Sequence, residues 1–326
     1  MLLEAANPKH EAGHANKPND YRDLRMSVAP RPRADVKSVD TEETADRALE
    51  RFDNTADQVG RPRGFSGSTA ERSTAFMASA GRVAQSVATL VGVGKDYRLG
   101  DSTITALRDV NLTVESGLFL ALAGPSGSGK STLLNLIGCI DTPTSGRVYI
   151  NGEDVSGKTP DQLAALRART IGFIFQTFNL LPVLSAEENV EYPLLQLAEI
   201  GRRERRDRVR YYLDMVGLTP QGKQRPNQLS GGQRQRVAIA RALAVHPKLV
   251  LADEPTANLD HKTGRRVLKL MRRINQDTKV TFVFSTHDPK VIDMADRRVD
   301  LEDGEIVRLG VRSGEDWKYA FRRRAD

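Results

Sequence analysis

The sequence has one cysteine and one tryptophan, and aromatic residues make up only 6% of it. No stretch approaches the roughly 18 consecutive apolar residues that signal a membrane-spanning helix. The first thirty residues lack the apolar core, between basic and small-residue flanks, of a secretory leader. These absences point to a chain that works in the cytoplasm. Cys139 has no second cysteine to pair with, which agrees with a reducing compartment and reads as a small buried residue.

What is present is enough to bury a core. At 326 residues and 39% hydrophobic, the chain has room for one or two domains. Its net charge is +7, yet residues 1–84 hold 13 Lys+Arg against 13 Asp+Glu, so the whole excess lies downstream. It gathers in "RRERRDRVR" (202–210) and "FRRR" (321–324). Such patches suit anionic lipid or nucleic acid. However, Arg203 with Asp207 and Glu204 with Arg208 stand at i,i+4 spacing, which reads as a solvated helix face laced with ion pairs. Only Tyr211 and Tyr212 interleave with the arginines, which argues against single-stranded nucleic acid as a partner.

Residues 1–84 are rich in Asn, Pro, Asp, Ala, Arg and Ser and show no sustained period, the composition of a disordered extension. Two readings stay open: a regulatory or tethering arm, in which "TADRALERF" (44–52) forms a short helix, or sequence upstream of a true start at Met77. From about residue 86, strand-like runs alternate with helical patterns, an α/β signature. "ATLVGV" (88–93) and "LRDVNLTV" (107–114) suit a small antiparallel sheet. "LFLALAG" (118–124), "IGFIF" (171–175), "KLVLAD" (248–253) and "KVTFVFS" (279–285) suit buried strands of a sheet covered on both faces. "TPDQLAALRART" (159–170) predicts a helix with Thr159 as N-cap, Pro160 in first place and Gln162 closing a capping box. Residues 186–245 read as mostly helical, and there is no internal repeat.

The chemistry begins at "LAGPSGSGKSTLL" (122–134), where an apolar run crosses a glycine-rich turn into a helical pattern. Gly124, Gly129, Lys130 and Ser131 satisfy the phosphate-loop spacing. A helix N-terminus exposes unpaired N–H groups and a positive dipole end, and glycines let backbone wrap an anion. Gly124, Pro125, Ser126, Gly127, Ser128, Gly129, Lys130, Ser131 and Thr132 are therefore the expected nucleotide-binding residues. Lys130 would reach the β- and γ-phosphates and Ser131 would bind Mg²⁺. "LVLADEPT" (249–256) adds a strand that ends in Asp253, a candidate metal ligand, and Glu254, a candidate acceptor of the proton of an attacking water. "LSGGQRQR" (229–236) adds a second glycine-marked helix start, with Ser230 as cap.

Together these residues resemble the nucleotide-binding domain of ATP-binding cassette (ABC) proteins over roughly residues 86–310, with Leu229, Ser230, Gly231, Gly232 and Gln233 in the place of the family signature. The resemblance implies ATP and Mg²⁺ as ligands. It also implies a P-loop ATPase core of mainly parallel, RecA-like sheet, with a small antiparallel β subdomain and an inserted helical subdomain at about 180–235. Further roles follow from it. Tyr97 matches the aromatic that stacks on adenine, and Gln176 the Q-loop glutamine that senses metal and contacts the membrane partner. Asp260 of "ANLD" matches the D-loop, and His287 of "STHD" the switch histidine at the γ-phosphate. Lys130, Gln176, Glu254 and His287 are thus the expected catalytic set, and Ser131, Gln176 and Asp253 the metal set.

"GPSGSGKSTLLNLIGCIDTPTSGRVYINGEDV" and "IGFIFQTFNLLPVLSAEENVEYPL" are similar to the ATPases of the lipoprotein-release and macrolide-export group. That likeness implies a head-to-tail homodimer that binds each ATP between Lys130 of one copy and Ser230–Gln233 of the other. It further implies a separately encoded membrane permease, a place on the inner face of the cell membrane, and no nucleic-acid partner. A compact helical segment between Gln176 and Ser230 leaves no room for the long coiled coil of chromosome-organising relatives. An ABC-type ATPase that regulates a membrane partner, such as a cell-wall hydrolase activator, is the alternative. Leu118 and Ala257 depart from the family's usual acidic residue and glycine. The organisation expected is an extension at 1–84, the cassette at 85–312 and a basic tail at 313–326.

Overall fold

The structure, a computed structural model, describes residues 86–314 and 316–321. The extension at 1–84, its 44–52 helix, Met77 and Arg322–Arg324 lie outside the described residues. Strands β1 (Ser86–Leu99) and β2 (Ser102–Glu115) form a long antiparallel hairpin that pairs Leu99 with Ser102 across the turn. Gly100, at φ +60°, supplies the left-handed residue that such a two-residue turn demands. After β3 (Phe119–Ala123), β4 (Ser145–Ile150) joins the other edge of β1, and the short β5 (Glu153–Asp154) follows it, so the small sheet runs β2-β1-β4-β5.

The larger sheet is built from β3, β6 (Ile171–Ile174), β7 (Leu249–Asp253), β8 (Thr281–Ser285), β9 (Arg297–Glu302), β10 (Glu305–Ser313) and β11 (Asp316–Phe321). Its order is β11-β10-β9-β3-β8-β7-β6, parallel from β9 to β6 and antiparallel at β10 and β11. Every residue of β3 and β8 is buried, as expected of central strands covered on both faces. Because side chains alternate along a strand, neighbours enter different cores. Phe119, Ala121 and Ala123 pack with Phe282 and Phe284 on one face, while Leu120, Leu122 and Val283 face the other. The Phe119 and Phe284 rings lie 4.3 Å apart, and truncating Phe284 to alanine there costs about 3–5 kcal/mol.

Helix α1 (Lys130–Ile137) lies in the same core as the small sheet, through Leu133, Leu136 and Ile137. Helix α2 (Ala164–Thr170) begins later than its sequence suggests. The capping bonds are present: the Thr159 N–H donates to Gln162 Oε1 at 2.8 Å and the Gln162 N–H to Thr159 Oγ1 at 3.4 Å. They close a turn and not the helix itself, because the Ala164 N–H bonds back three residues to Asp161, the tighter 3₁₀ spacing.

Between β6 and β7 the chain is helical. It contains α3 (Ala186–Glu191), a 3₁₀ turn (Tyr192–Gln196), α4 (Arg202–Met215), two more 3₁₀ turns (Thr219–Gln221 and Pro226–Gln228) and α5 (Gly231–Ala244). Ser185 and Glu188 cap α3 reciprocally. The arginine-rich α4 buries Val209, Tyr212 and Leu213 and carries the predicted Glu204–Arg208 pair at 2.6 Å. Helices α6 (His261–Thr278) and α7 (Pro289–Met294) complete the set.

The segment at 313–326, expected as a basic tail, contains an edge strand instead. β11 pairs residue by residue with β10, from Ser313↔Asp316 to Arg308↔Phe321. Trp317, Tyr319 and Phe321 alternate along it, and Arg312 and Arg308 lie over the Trp317 and Tyr319 rings at 5.7 and 4.4 Å. Gly310 has no Cβ to strike the Tyr319 ring, which would stand 2.8 Å from it. The period-two aromatic pattern was the strand signal, and the count of basic residues hid it.

Candidate functional site

The loop Gly124–Gly129 joins the carboxyl end of β3 to α1. Two positions in it admit only glycine. A Cβ on Gly124 (φ +146°) would fall 2.2 Å from the Leu301 carbonyl, and one on Gly129 (φ +98°) 2.7 Å from that of Ala106. Pro125, Ser126 and Gly127 form the exposed apex. The start of α1 has no side-chain cap and no acidic residue in its first turn. Its N–H groups and dipole are left for an anion. Lys130 folds back over the loop, its ammonium donating to the carbonyls of Gly124 (2.8 Å) and Pro125 (2.7 Å). The Ser128 hydroxyl is buried inside the loop without a partner, the mark of a polar group that awaits a ligand.

Parallel pairing of β7 with β8 sets Asp253 beside Ser285 and so brings the ends of both strands to the same edge. Asp253 Oδ2 stands 3.5 Å from the Ser131 hydroxyl. Glu254 adopts a left-handed backbone, φ +43°, which is strained for a residue with a Cβ. The Glu254 N–H donates to the Ser285 carbonyl at 2.9 Å. That turn aims the carboxylate at Thr286, whose hydroxyl donates at 3.3 Å, and at His287, whose Nδ1 lies 2.6 Å away. An ionised carboxylate only accepts, so Nδ1 carries the proton and Nε2 is left for another partner. The His287 side chain is 75% exposed and that of Glu254 only 17%, so the histidine forms the mouth and the carboxylate the interior.

Tyr97 reaches the same region from β1. Its hydroxyl donates to Asp141 Oδ2 at 2.8 Å and lies by Thr132 of α1, while the Lys95 ammonium sits 4.8 Å from its ring centre. Lys95 in turn bonds Asp141 at 2.6 Å. Burial alone would raise the Asp141 carboxyl, but the hydrogen bonds from Lys95, Tyr97 and the Thr142 N–H outweigh it and hold it below its ordinary value. The Lys95 ammonium thus covers one ring face of Tyr97, while the residue remains partly exposed.

Gln176 follows β6, exposed, and its carbonyl accepts from the Asn258 amide at 2.9 Å. The next turn holds Phe178 and Asn179 at φ +64° and +50°. Arg241 of α5 stabilises it by donating to both carbonyls, at 2.9 and 2.5 Å, and Arg234 lies 5.3 Å from the Phe178 ring centre. Burial lowers the Arg241 pKa. Gln235, fully buried, donates from Nε2 to the Pro255 carbonyl at 2.8 Å. None of Lys95, Asp141, Arg241, Gln235 and Asn258 was evident from motif spacing. Polar residues on the apolar face of α5 were the one signal available.

Lys130, Ser131, Asp253, Glu254 and His287 thus meet at the carboxyl ends of β3, β7 and β8, where open parallel sheets bind ligands. The signature residues do not join them. Ser230 and Gln233 cap α5 reciprocally, at 2.7 and 3.2 Å, and Leu229 is buried. Gly231 packs on the loop before α6, where a Cβ would lie 3.5 Å from Leu259 Cδ2, and Gly232 on the start of α6, where one would fall 2.3 Å from Thr263 Cγ2. Asp260 caps α6 by accepting from Thr263 and Lys262, and hydrogen bonding from Thr263 holds its carboxyl below the ordinary range. Among the described residues no group of three or more His, Cys, Asp or Glu could hold a metal unaided. Ser131 and Asp253 are nonetheless hard oxygen donors at one spot, which suits Mg²⁺ shared with nucleotide phosphates.

A glycine phosphate loop on a central parallel strand, with an acidic strand end opposite its serine, defines a P-loop nucleoside triphosphatase. The family described as ABC transporter matches residues 107–257. An ABC transporter ATP-binding protein of Methanocaldococcus jannaschii, MJ0796, is 47% identical over 222 residues, which is 67% of this chain and 94% of that one. The chain belongs to the ABC transporter family, as an ATP-binding subunit with ATPase activity. It is also 49% identical to the lipoprotein-releasing system ATP-binding protein LolD of Anaeromyxobacter dehalogenans, over 70% of this chain and 95% of that one. It is 50% identical to the macrolide export ATP-binding/permease protein MacB of Syntrophobacter fumaroxidans, over 67% of this chain but only 30% of that one. The solved dimeric structure of MJ0796 bound to ADP and Pi, a post-hydrolysis state, superimposes with a TM-score of 0.65 at 46% identity. It covers 70% of this chain and 99% of that one.

Proposed function

We propose that this ATPase powers an outward-acting transporter of the lipoprotein-release or macrolide-export type, as a homodimer on the cytoplasmic face of a permease encoded separately. The likeness to LolD carries this reading, because it spans 95% of that protein. MacB, named as an ATP-binding/permease protein, is matched over 30% of its length only. In the described part of the chain no helix is long and apolar enough to cross a membrane. The dimer rests on the dimeric MJ0796 structures. It also accounts for the signature turn, which keeps its hydrogen bonds to itself in one copy and would close over the nucleotide of the other.

In the proposed mechanism Gly124–Thr132 cradle the phosphates with backbone N–H groups, and Lys130 exchanges its two carbonyl partners for phosphate oxygens. Tyr97 offers its open ring face to adenine. Ser131, Gln176 and Asp253 would hold Mg²⁺, which when bound neutralises charge across the β- and γ-phosphates. Glu254 takes the proton of the attacking water, oriented by its contact with His287. His287 then turns Nε2 to the γ-phosphate, and Asp260 meets the partner copy. Purification of the tagged full-length chain from detergent-solubilised membranes tests the transport reading. A permease with a large extracytoplasmic domain is the expected companion, and recovery of the ATPase with no membrane protein would overturn it.

A further inference from the structure

Helix α6 turns Val267, Leu268, Met271 and Ile274 into the core, and its opposite side is a stripe of cations. Lys262, Arg265, Arg266, Lys269 and Arg273 are exposed there. The helix carries one carboxylate, Asp277, which pairs with Arg273 at 3.6 Å. Arg272, on the flank, is bound to Asp296 at 2.5 Å. Among the described residues the other four cations of the stripe have no ion-pair partner. Lys262 and Arg266, Arg265 and Lys269, and Lys269 and Arg273 each stand at i,i+4, so the face repels itself. A matching counter-charge would relieve it.

The same chain holds that counter-charge. From Asp40 to Asp57 there are seven carboxylates against two arginines. Four of them, Asp46, Glu50, Asp53 and Asp57, recur in steps of 4, 3 and 4 residues, as do Lys262, Arg266, Lys269 and Arg273. At helical spacing such steps align charges along one face. We propose that the cationic face of α6 is the docking surface for the acidic segment 40–57 of this chain. Residues 58–85 can extend over roughly 90 Å, more than a domain of this size, roughly 45 Å across, requires. This face begins at Lys262, next to Thr263, where α6 meets Gly232 of the signature, and the inference is independent of the transport reading.

Zero-length carbodiimide cross-linking of the full-length chain, followed by peptide mapping, tests it. At low ionic strength Lys262 and Lys269 are expected to link to Asp46, Glu50, Asp53 or Asp57. The yield should fall at least fivefold at about 0.5 M salt, where screening is strong. Glu50→Lys with Asp53→Lys should cut the links at least fivefold, leaving only Asp46 and Asp57 as acceptors, and adding Arg266→Glu with Lys269→Glu should restore linking with polarity reversed. Unchanged ATP turnover in these variants reports that they fold. No link at low salt, or links spread evenly over other lysines, would overturn the proposal. So would a chain that lacks the link but pellets with phosphatidylglycerol vesicles and loses that binding on Arg266→Glu/Lys269→Glu/Arg273→Glu. The face would then belong to a lipid surface.

Discussion

Glu254 and His287 touch at 2.6 Å although they leave two different strands, β7 and β8. The contact depends on parallel pairing of those strands and on the left-handed backbone at Glu254. It places a half-buried carboxylate behind an exposed imidazole at the strand ends that hold Lys130 and Asp253. If Glu254 accepts the proton, Glu254→Gln keeps ATP binding and accumulates an ATP-bound dimer. Hydrolysis should fall by about 10²–10⁴-fold, the usual worth of a general base. Single-turnover kinetics with size-exclusion chromatography checks both, and turnover at the parent rate would remove the assignment.

Lys130→Ala removes a cation that is held by two loop carbonyls. Hydrogen bonds to charged groups contribute about 1.5–3 kcal/mol, so nucleotide affinity should weaken by about 10- to 100-fold. Equilibrium binding of a fluorescent ATP analogue measures it. Unchanged affinity would mean that the ammonium does not reach phosphate.

Gly232→Val would drive its side chain into Thr263, where even a Cβ falls at 2.3 Å. Overpacking of this kind costs about 1–3 kcal/mol. Urea unfolding should report that loss with little change in slope. Thr263→Ser, by removing the clashing methyl, should recover part of it.

Asp141 ties Tyr97 to Lys95, and its carboxyl is held below the ordinary value in the folded chain. A depressed carboxylate contributes stability that is complete above its unfolded pKa, about 3.9, and is lost as pH falls through the folded value. The difference in unfolding free energy between parent and Asp141→Asn should therefore be largest near neutrality and shrink below about pH 4. A difference that is flat across that range would place the role of Asp141 elsewhere.

Cys139 is buried, and burial pushes its thiol up to about 11. At pH 8 it is neutral and enclosed, so a maleimide should label the folded chain negligibly and the urea-unfolded chain fully. Rapid labelling of the folded chain would show that the α1 end opens.

Part of the site is legible in the sequence alone because it is local. The steps from Gly124 to Thr132, from Asp253 to Glu254 and from Ser230 to Gln233 each lie within nine residues of chain or fewer, where glycine and capping chemistry act on near neighbours. The apolar runs of β3, β7 and β8 announced a covered sheet for the same reason. The start of α2 is not fixed by its local sequence because the Thr159–Gln162 bonds are equally good in a tight turn, and β11 is masked because the arginines that follow it outweigh its alternating rings.

Local sequence determined which groups are available: a glycine loop, two adjacent carboxylates, a histidine after a strand. Only the tertiary structure decided which of them meet. Strand order carries Glu254 to His287 and Ser131 to Asp253, and helix packing carries Arg241 to the turn after Gln176 and Gln235 to Pro255. Contacts between residues distant along the chain depend on which elements become neighbours when two cores are buried at once, and no spacing within one element encodes that choice.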